Sequence, residues 1–132
     1  MNPKEGTMDI FIADDSEPVR ASIKKLCLKS AQLHVVGEAK DGETAIEQII
    51  QLKPDVALLD ILMPMMTGIE VARQARARFP KMKIVVLSNY VDSYSRARCL
   101  EVGVDYVFDK STEFAEMMEM LLQLSLDQPE EL

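Results

Sequence analysis

Hydrophobic residues along this chain gather in short dense runs, separated by longer stretches where they recur every three or four positions. The dense runs are Met8–Ala13 (MDIFIA), His34–Ala39 (HVVGEA), Asp55–Asp60 (DVALLD), Lys83–Ser88 (KIVVLS) and Asp105–Asp109 (DYVFD). They are rich in Val, Ile, Leu and Phe and do not alternate cleanly with polar residues. Strands of that character are covered on both faces, as in a parallel sheet.

The stretches between them have the period of an amphipathic helix. The first is announced by Ser16-Glu17-Pro18 and carries Val19, Ile23, Leu26 and Cys27 on one side. A proline in a first turn forfeits no hydrogen bond, because that N–H has no partner inside the helix. The second opens at Asp41-Gly42-Glu43, carries Ala45, Ile46, Ile49 and Ile50, and stops at Lys53-Pro54. The third runs from near Thr67-Gly68 to Phe79-Pro80, with Ile69, Ala72 and Ala75 inward. The fourth spans roughly Ser93–Val102 before Gly103, a helix-terminating glycine. The fifth runs from Thr112 to about Leu126, with Phe114, Met117, Met118, Leu121 and Leu122 inward, a stripe that reads as core filling. Strand alternating with helix five times over short connections predicts a doubly wound α/β fold. A single domain over residues 1–132 is expected, with its core at about 8–126 and frayed ends.

The net charge of −7 argues against direct nucleic-acid binding, which needs cations to neutralise phosphates, and equally against an anionic membrane surface. No apolar run approaches spanning length and no signal-peptide core opens the chain, so a cytoplasmic protein is expected. Cys27 and Cys99 lie far apart in apolar stretches and read as reduced, packed side chains. His34, the single histidine, reads as structural.

In an open parallel sheet, chemistry gathers beyond the carboxyl ends of the strands. The first strand ends in Asp14-Asp15, the third in Asp60, the fourth in Ser88-Asn89 and the fifth in Asp109-Lys110. Each feature alone is ordinary turn or cap chemistry. Together they bring carboxylates, a hydroxyl and an ammonium to one edge. Crowded carboxylates repel and call for a cation, and hard oxygen ligands suit Mg²⁺. A lysine beside them balances charge and can meet a phosphoryl oxygen.

This constellation resembles the receiver domain of bacterial response regulators over nearly the whole chain. The family's pattern is an acidic pair, an aspartate, a Thr/Ser and a lysine after strands one, three, four and five, supplied here by Asp14 and Asp15, Asp60, Ser88 and Lys110. Asp60-Ile61-Leu62-Met63-Pro64 followed by Gly68 is similar to its signature loop, and VVGEAKDG and GVDYVFDKS are similar to receivers of the nitrate-regulator type. The resemblance implies a flavodoxin-like (βα)5 sheet of strand order 2-1-3-4-5. It implies that Asp60 accepts a phosphoryl group from a sensor histidine kinase or a histidine phosphotransfer protein. Asp14, Asp15, Asp60 and the Leu62 carbonyl would hold Mg²⁺, with Ser88 and Lys110 on the phosphoryl oxygens. The chain would then be no enzyme in the ordinary sense but a signalling phospho-acceptor. It would switch a surface on helix 4, strand 5 and helix 5 for a downstream effector protein, or for a homodimer formed on phosphorylation. Leu62 and Tyr90, each two residues past a site residue, would screen the acyl phosphate from water and lengthen its life.

Two positions depart from the pattern. Ser111 stands where the family has proline, and Val107 where it has the switch aromatic, with Tyr106 and Phe108 on either side. Three other readings compete: the receiver of a longer DNA-binding transcription regulator, an interaction module that never takes phosphate, and a metal-dependent phosphohydrolase. The complete five-residue set argues against the second, and the length leaves no cap domain for the third.

Overall fold

A computed structural model describes residues 7–89 and 91–127. Five strands and five helices alternate: β1 Met8–Ala13, α1 Glu17–Cys27, β2 Leu33–Ala39, α2 Gly42–Leu52, β3 Val56–Leu59, α3 Gly68–Arg78, β4 Lys83–Ser88, α4 Ser93–Glu101, β5 Tyr106–Asp109 and α5 Phe114–Leu126. The strands form one parallel sheet in the order β2-β1-β3-β4-β5. The order and the class are those expected.

The unbroken apolar strands have a simple cause. Side chains alternate between faces, and here each face has its own core. Phe11, Ala13, Ala57, Leu59, Ile84 and Val86 point towards α2, α3 and α4. Their neighbours Ile10, Ile12, Val56, Leu58, Val85 and Leu87 point towards α1 and α5. Cys99 belongs to the first core and Cys27 to the second; both are free and buried, as expected. Burial pushes the Cys27 thiol up to about 11. His34 is largely exposed, its Nδ1 lying 3.5 Å from Asp9.

Caps define where the helices begin. Ser16, Asp41, Thr67 and Asp92 each accept the backbone N–H three residues on, which fixes the starts of α1, α2, α3 and α4. At the end of α2, Lys53 turns left-handed (φ 49°), and Gly103 (φ 94°) follows α4.

Three details correct the sequence reading. Leu122 does not face inward: it is 41% exposed. The inward position goes to Ser125, which lies one turn further on, and its hydroxyl donates to the Leu122 carbonyl within the helix. On α3 the buried stripe is Val71, Ala72 and Ala75, while Ile69 is only partly buried. Finally, α5 begins at Phe114 and not at Thr112, because Asp109 and Glu113 close a turn in between: Glu113 N–H donates to the Asp109 carbonyl, and Asp109 N–H donates to the Glu113 side chain.

One close approach sets the position of the third strand's end. A Cβ on Gly68 would lie 1.9 Å from the Asp60 carbonyl oxygen, so only glycine lets α3 start against that peptide. Gly68→Ala should therefore destabilise the fold by about 2–4 kcal/mol, measured by urea unfolding. A change below about 0.5 kcal/mol would show that the contact is readily relieved.

Candidate functional site

The ends of β1, β3, β4 and β5 deliver the expected residues to one place. Asp14 follows β1, and its N–H is tied to the Ala39 carbonyl of β2 at 3.0 Å. Asp60 follows β3, with its N–H on the Ala13 carbonyl at 2.9 Å. Ser88 closes β4, and its carbonyl accepts the Lys110 N–H at 2.9 Å. Backbone ladders running on past the strands thus place the side chains before any of them interact.

Lys110 Nζ sits between two carboxylates, 2.7 Å from Asp14 Oδ2 and 3.1 Å from Asp60 Oδ2. Asp14 and Asp60 are buried, and so is the Ser88 hydroxyl, which lies within hydrogen-bonding reach of Asp60. Asp14 Oδ1 also accepts the Ser16 N–H at 2.8 Å. Asp15 is exposed, yet oxygens of Asp14, Asp15 and Asp60 all lie within 4.8 Å of one another. Asp15 and Asp60 open onto a hollow of about 300 Å³ that Leu62, Asn89 and Lys110 also line. Leu62 itself is half-exposed. Tyr90, paired with it in the sequence reading, lies outside the described residues.

Burial pushes the Asp60 carboxyl above the usual carboxylate range; Lys110 pulls it back, and Asp14 adds to the rise. Burial lowers the Lys110 ammonium, but Asp14 and Asp60 outweigh that and leave it above the ordinary lysine value. The arrangement therefore offers a carboxylate whose ionised form burial disfavours, facing a hollow on one side and a fixed cation on the other. Such a carboxylate is suited to act as a nucleophile towards an anionic group that the lysine can receive.

A profile of the family described as "Response regulator receiver domain" matches residues 10–122. The chain belongs to the response-regulator receiver family. It is 36% identical over 112 residues to the response regulator protein VraR of Staphylococcus saprophyticus, covering 85% of this chain and 54% of that protein. With VraR of Staphylococcus aureus it shares 31% over 119 residues, covering 90% and 57%. The chain spans about half the length of the curated relatives it matches. Among solved structures, the signal receiver domain of the putative response regulator NarL from Mycobacterium tuberculosis superposes with a TM-score of 0.83 at 28% identity, covering 92% of this chain and 98% of that one. The response regulator domain of Thermotoga maritima CheB gives 0.79 at 28%, covering 90% and 93%.

Two features of this receiver were missed or unassigned in the sequence. Asp109, which had no evident role, accepts both the N–H and the hydroxyl of Ser111 through Oδ1, at 2.8 and 2.6 Å. Ser111 holds the Asp109 carboxyl below its usual range. This local turn shapes the chain after Lys110, where the family's proline would otherwise restrict it. The second is Arg20, whose guanidinium reaches the Asp14 carbonyl and Glu38; a lone arginine in a helix carries no signal of this kind.

The raised carboxyl of Asp60 has a calculable sign. A group whose folded pKa lies above its unfolded value contributes stability only below the unfolded value, and loses it as pH rises through the folded one. At neutral pH, ionised Asp60 is therefore a net cost. Asp60→Asn should raise stability at pH 7 by about 1 kcal/mol, and the gain should shrink as pH falls towards the ordinary carboxylate range near about 4. Thermal melts across pH check this; destabilisation at pH 7 would contradict it.

Proposed function

We propose that this receiver accepts a phosphoryl group on Asp60 from a phosphohistidine, carried by a sensor histidine kinase or a histidine phosphotransfer protein, and switches a partner-binding surface in response. The observation behind this reading is the buried Asp60 carboxylate at the floor of an open hollow, 3.1 Å from a lysine that is itself paired with Asp14. In the transfer an Asp60 oxygen bonds to phosphorus while the phosphorus–nitrogen bond of the donor breaks, and the imidazole leaves with that electron pair. Lys110 then meets the phosphoryl oxygens in place of the Asp60 carboxylate. The Ser88 hydroxyl donates to another of those oxygens, so positioning and electrostatics do most of the work. The product is an acyl phosphate that water later removes, which makes the chain a signalling phospho-acceptor that catalyses its own modification.

The donor set fits Mg²⁺: hard carboxylate oxygens on one side of a hollow with room for water. Asp15, Asp60 and the Leu62 carbonyl would bind it directly, and Asp14 partly through water. When bound, Mg²⁺ supplies neutralising charge to the acids and to the phosphoryl oxygens.

The output is a population shift in α4, β5 and α5, biased by the new contacts of Ser88 and Lys110. A downstream effector protein reads it, or a second copy does in a homodimer formed on phosphorylation. No described helix is long and apolar enough to cross a membrane. A second reading makes the chain the receiver portion of a longer DNA-binding regulator. It is favoured by the partial coverage of VraR and by a neighbour described as a two-component response regulator of the LuxR family from Aurantimonas, at 25% identity.

Incubation with acetyl phosphate and Mg²⁺ should add one phosphoryl group to the intact mass. Asp60→Asn should abolish the addition, chelation should prevent it, and Asp15→Ala should reduce it more than Asp14→Ala. A label that survives Asp60→Asn, or that forms equally well in chelator, would overturn the assignment.

A further inference from the structure

Two of the three acids at the site are held by their side chains. Asp14 is fixed by Lys110 and by the Ser16 N–H, and Asp60 by Lys110 with Ser88 within reach. Asp15 differs. It is exposed, and its carboxylate makes no hydrogen bond or ion pair with any described residue. Its oxygen nevertheless stands within 4.8 Å of those of Asp14 and Asp60. Something other than its own side chain must aim it.

The backbone does so. A peptide unit is planar, so fixing the Asp14 carbonyl oxygen fixes the direction in which the chain enters Asp15. That oxygen accepts a hydrogen bond from Arg20 Nη1 at 2.6 Å. Arg20 is in turn anchored: its Nε donates to Glu38 Oε1 at 2.7 Å, and Lys24 holds the other oxygen of Glu38. Glu38 lies on β2 immediately before Ala39, whose carbonyl takes the Asp14 N–H. The Asp14 residue is thus gripped at its N–H by β2 and at its C=O by an arginine braced on the same strand. With a side chain only 13% exposed, Arg20 has little freedom to leave.

We propose that Arg20 is a positioning residue for Asp15, acting through the peptide that joins the two acids. The planar guanidinium fork suits the task, since its Nη1 donates to the carbonyl while its Nε keeps the Glu38 anchor. A lysine, with a single point of charge, cannot reach both in the same geometry. The inference rests on the reading of these acids as a cation site.

The sign of the effect separates positioning from simple electrostatics. Removing a positive charge near a cation site should, through space alone, tighten Mg²⁺ binding. Removing a clamp should weaken it, as loss of supporting hydrogen bonds around metal ligands typically does. Mg²⁺ titrations followed by amide NMR in wild type, R20Q, R20K, D15N and R20Q/D15N distinguish these, with thermal melts confirming that each variant is folded. R20Q should weaken Mg²⁺ about tenfold, and R20K should fall between R20Q and wild type. In the D15N background R20Q should cause no further loss, because the residue it positions is already disabled. E38Q, which keeps Arg20 but removes its anchor, should give a smaller loss of the same sign and serves if R20Q fails to fold. Unchanged or tighter binding in R20Q, or an equal loss with and without Asp15, overturns the proposal. A wild-type protein with no Mg²⁺-dependent shifts would instead remove the cation site itself.

Discussion

Lys110 reaches back from the end of β5 to place its ammonium between Asp14 and Asp60, whose carboxylates would otherwise face each other with no counter-charge. At these separations a single unit-charge interaction is of order 4 kcal/mol at an effective dielectric near 20. Attraction to the lysine therefore outweighs the repulsion of the two acids, but burial of all three groups consumes much of the gain. Counting Asp15, three acids and one lysine leave the site at −2. The sheet, the caps and Gly68 supply the rigidity that keeps such a deficit from relaxing. The Asp60 carboxylate stays desolvated and close to its countercharge, a state that a freely moving surface cluster would not keep.

The sheet was legible because its information is local and repeated. The central strands are apolar on both faces, four of the five helices have a capping side chain at their start, and five repeats leave few topologies open. The site was legible for a related reason: strand-terminal residues in a parallel sheet are brought together by topology, whatever their separation in sequence. What could not be read depended on side-chain reach. Arg20 binds a carbonyl six residues earlier and a glutamate on the neighbouring strand, and neither partner follows from periodicity. The inward place assigned to Leu122 failed for a similar reason: helical spacing marks a broad stripe, and packing against the sheet selects within it. Small residues such as Ser125 can win the closest positions.

Strand β5 shows how parity assigns roles. Val107 packs with the core beneath α3 and α4, whereas Tyr106 and Phe108 lie on the opposite face near α5, their rings 6.4 Å apart and stacked. Neither of these two rings can stand in for the missing aromatic, because a strand neighbour always points the other way. On the α4 side Arg96 donates to the Val107 carbonyl at 3.5 Å, and its Nη2 lies 3.7 Å from Glu113. Glu113 also accepts the Asp109 N–H, one residue before Lys110. Under the proposed switch, the links from the site towards α4 and α5 would run through these charged and backbone groups.

The division of the core into two layers also bears on the two thiols. Cys27 and Cys99 are separated by the full thickness of the sheet, so neither can find the other without unfolding. Each is sealed beneath helices, and burial keeps both in the unreactive protonated form. An alkylating reagent can reach Cys27 only when the α1 side opens, and Cys99 only when the α4 side does. The molecule carries two native stopwatches, one for each half of its interior, and their relative rates report which half breathes first.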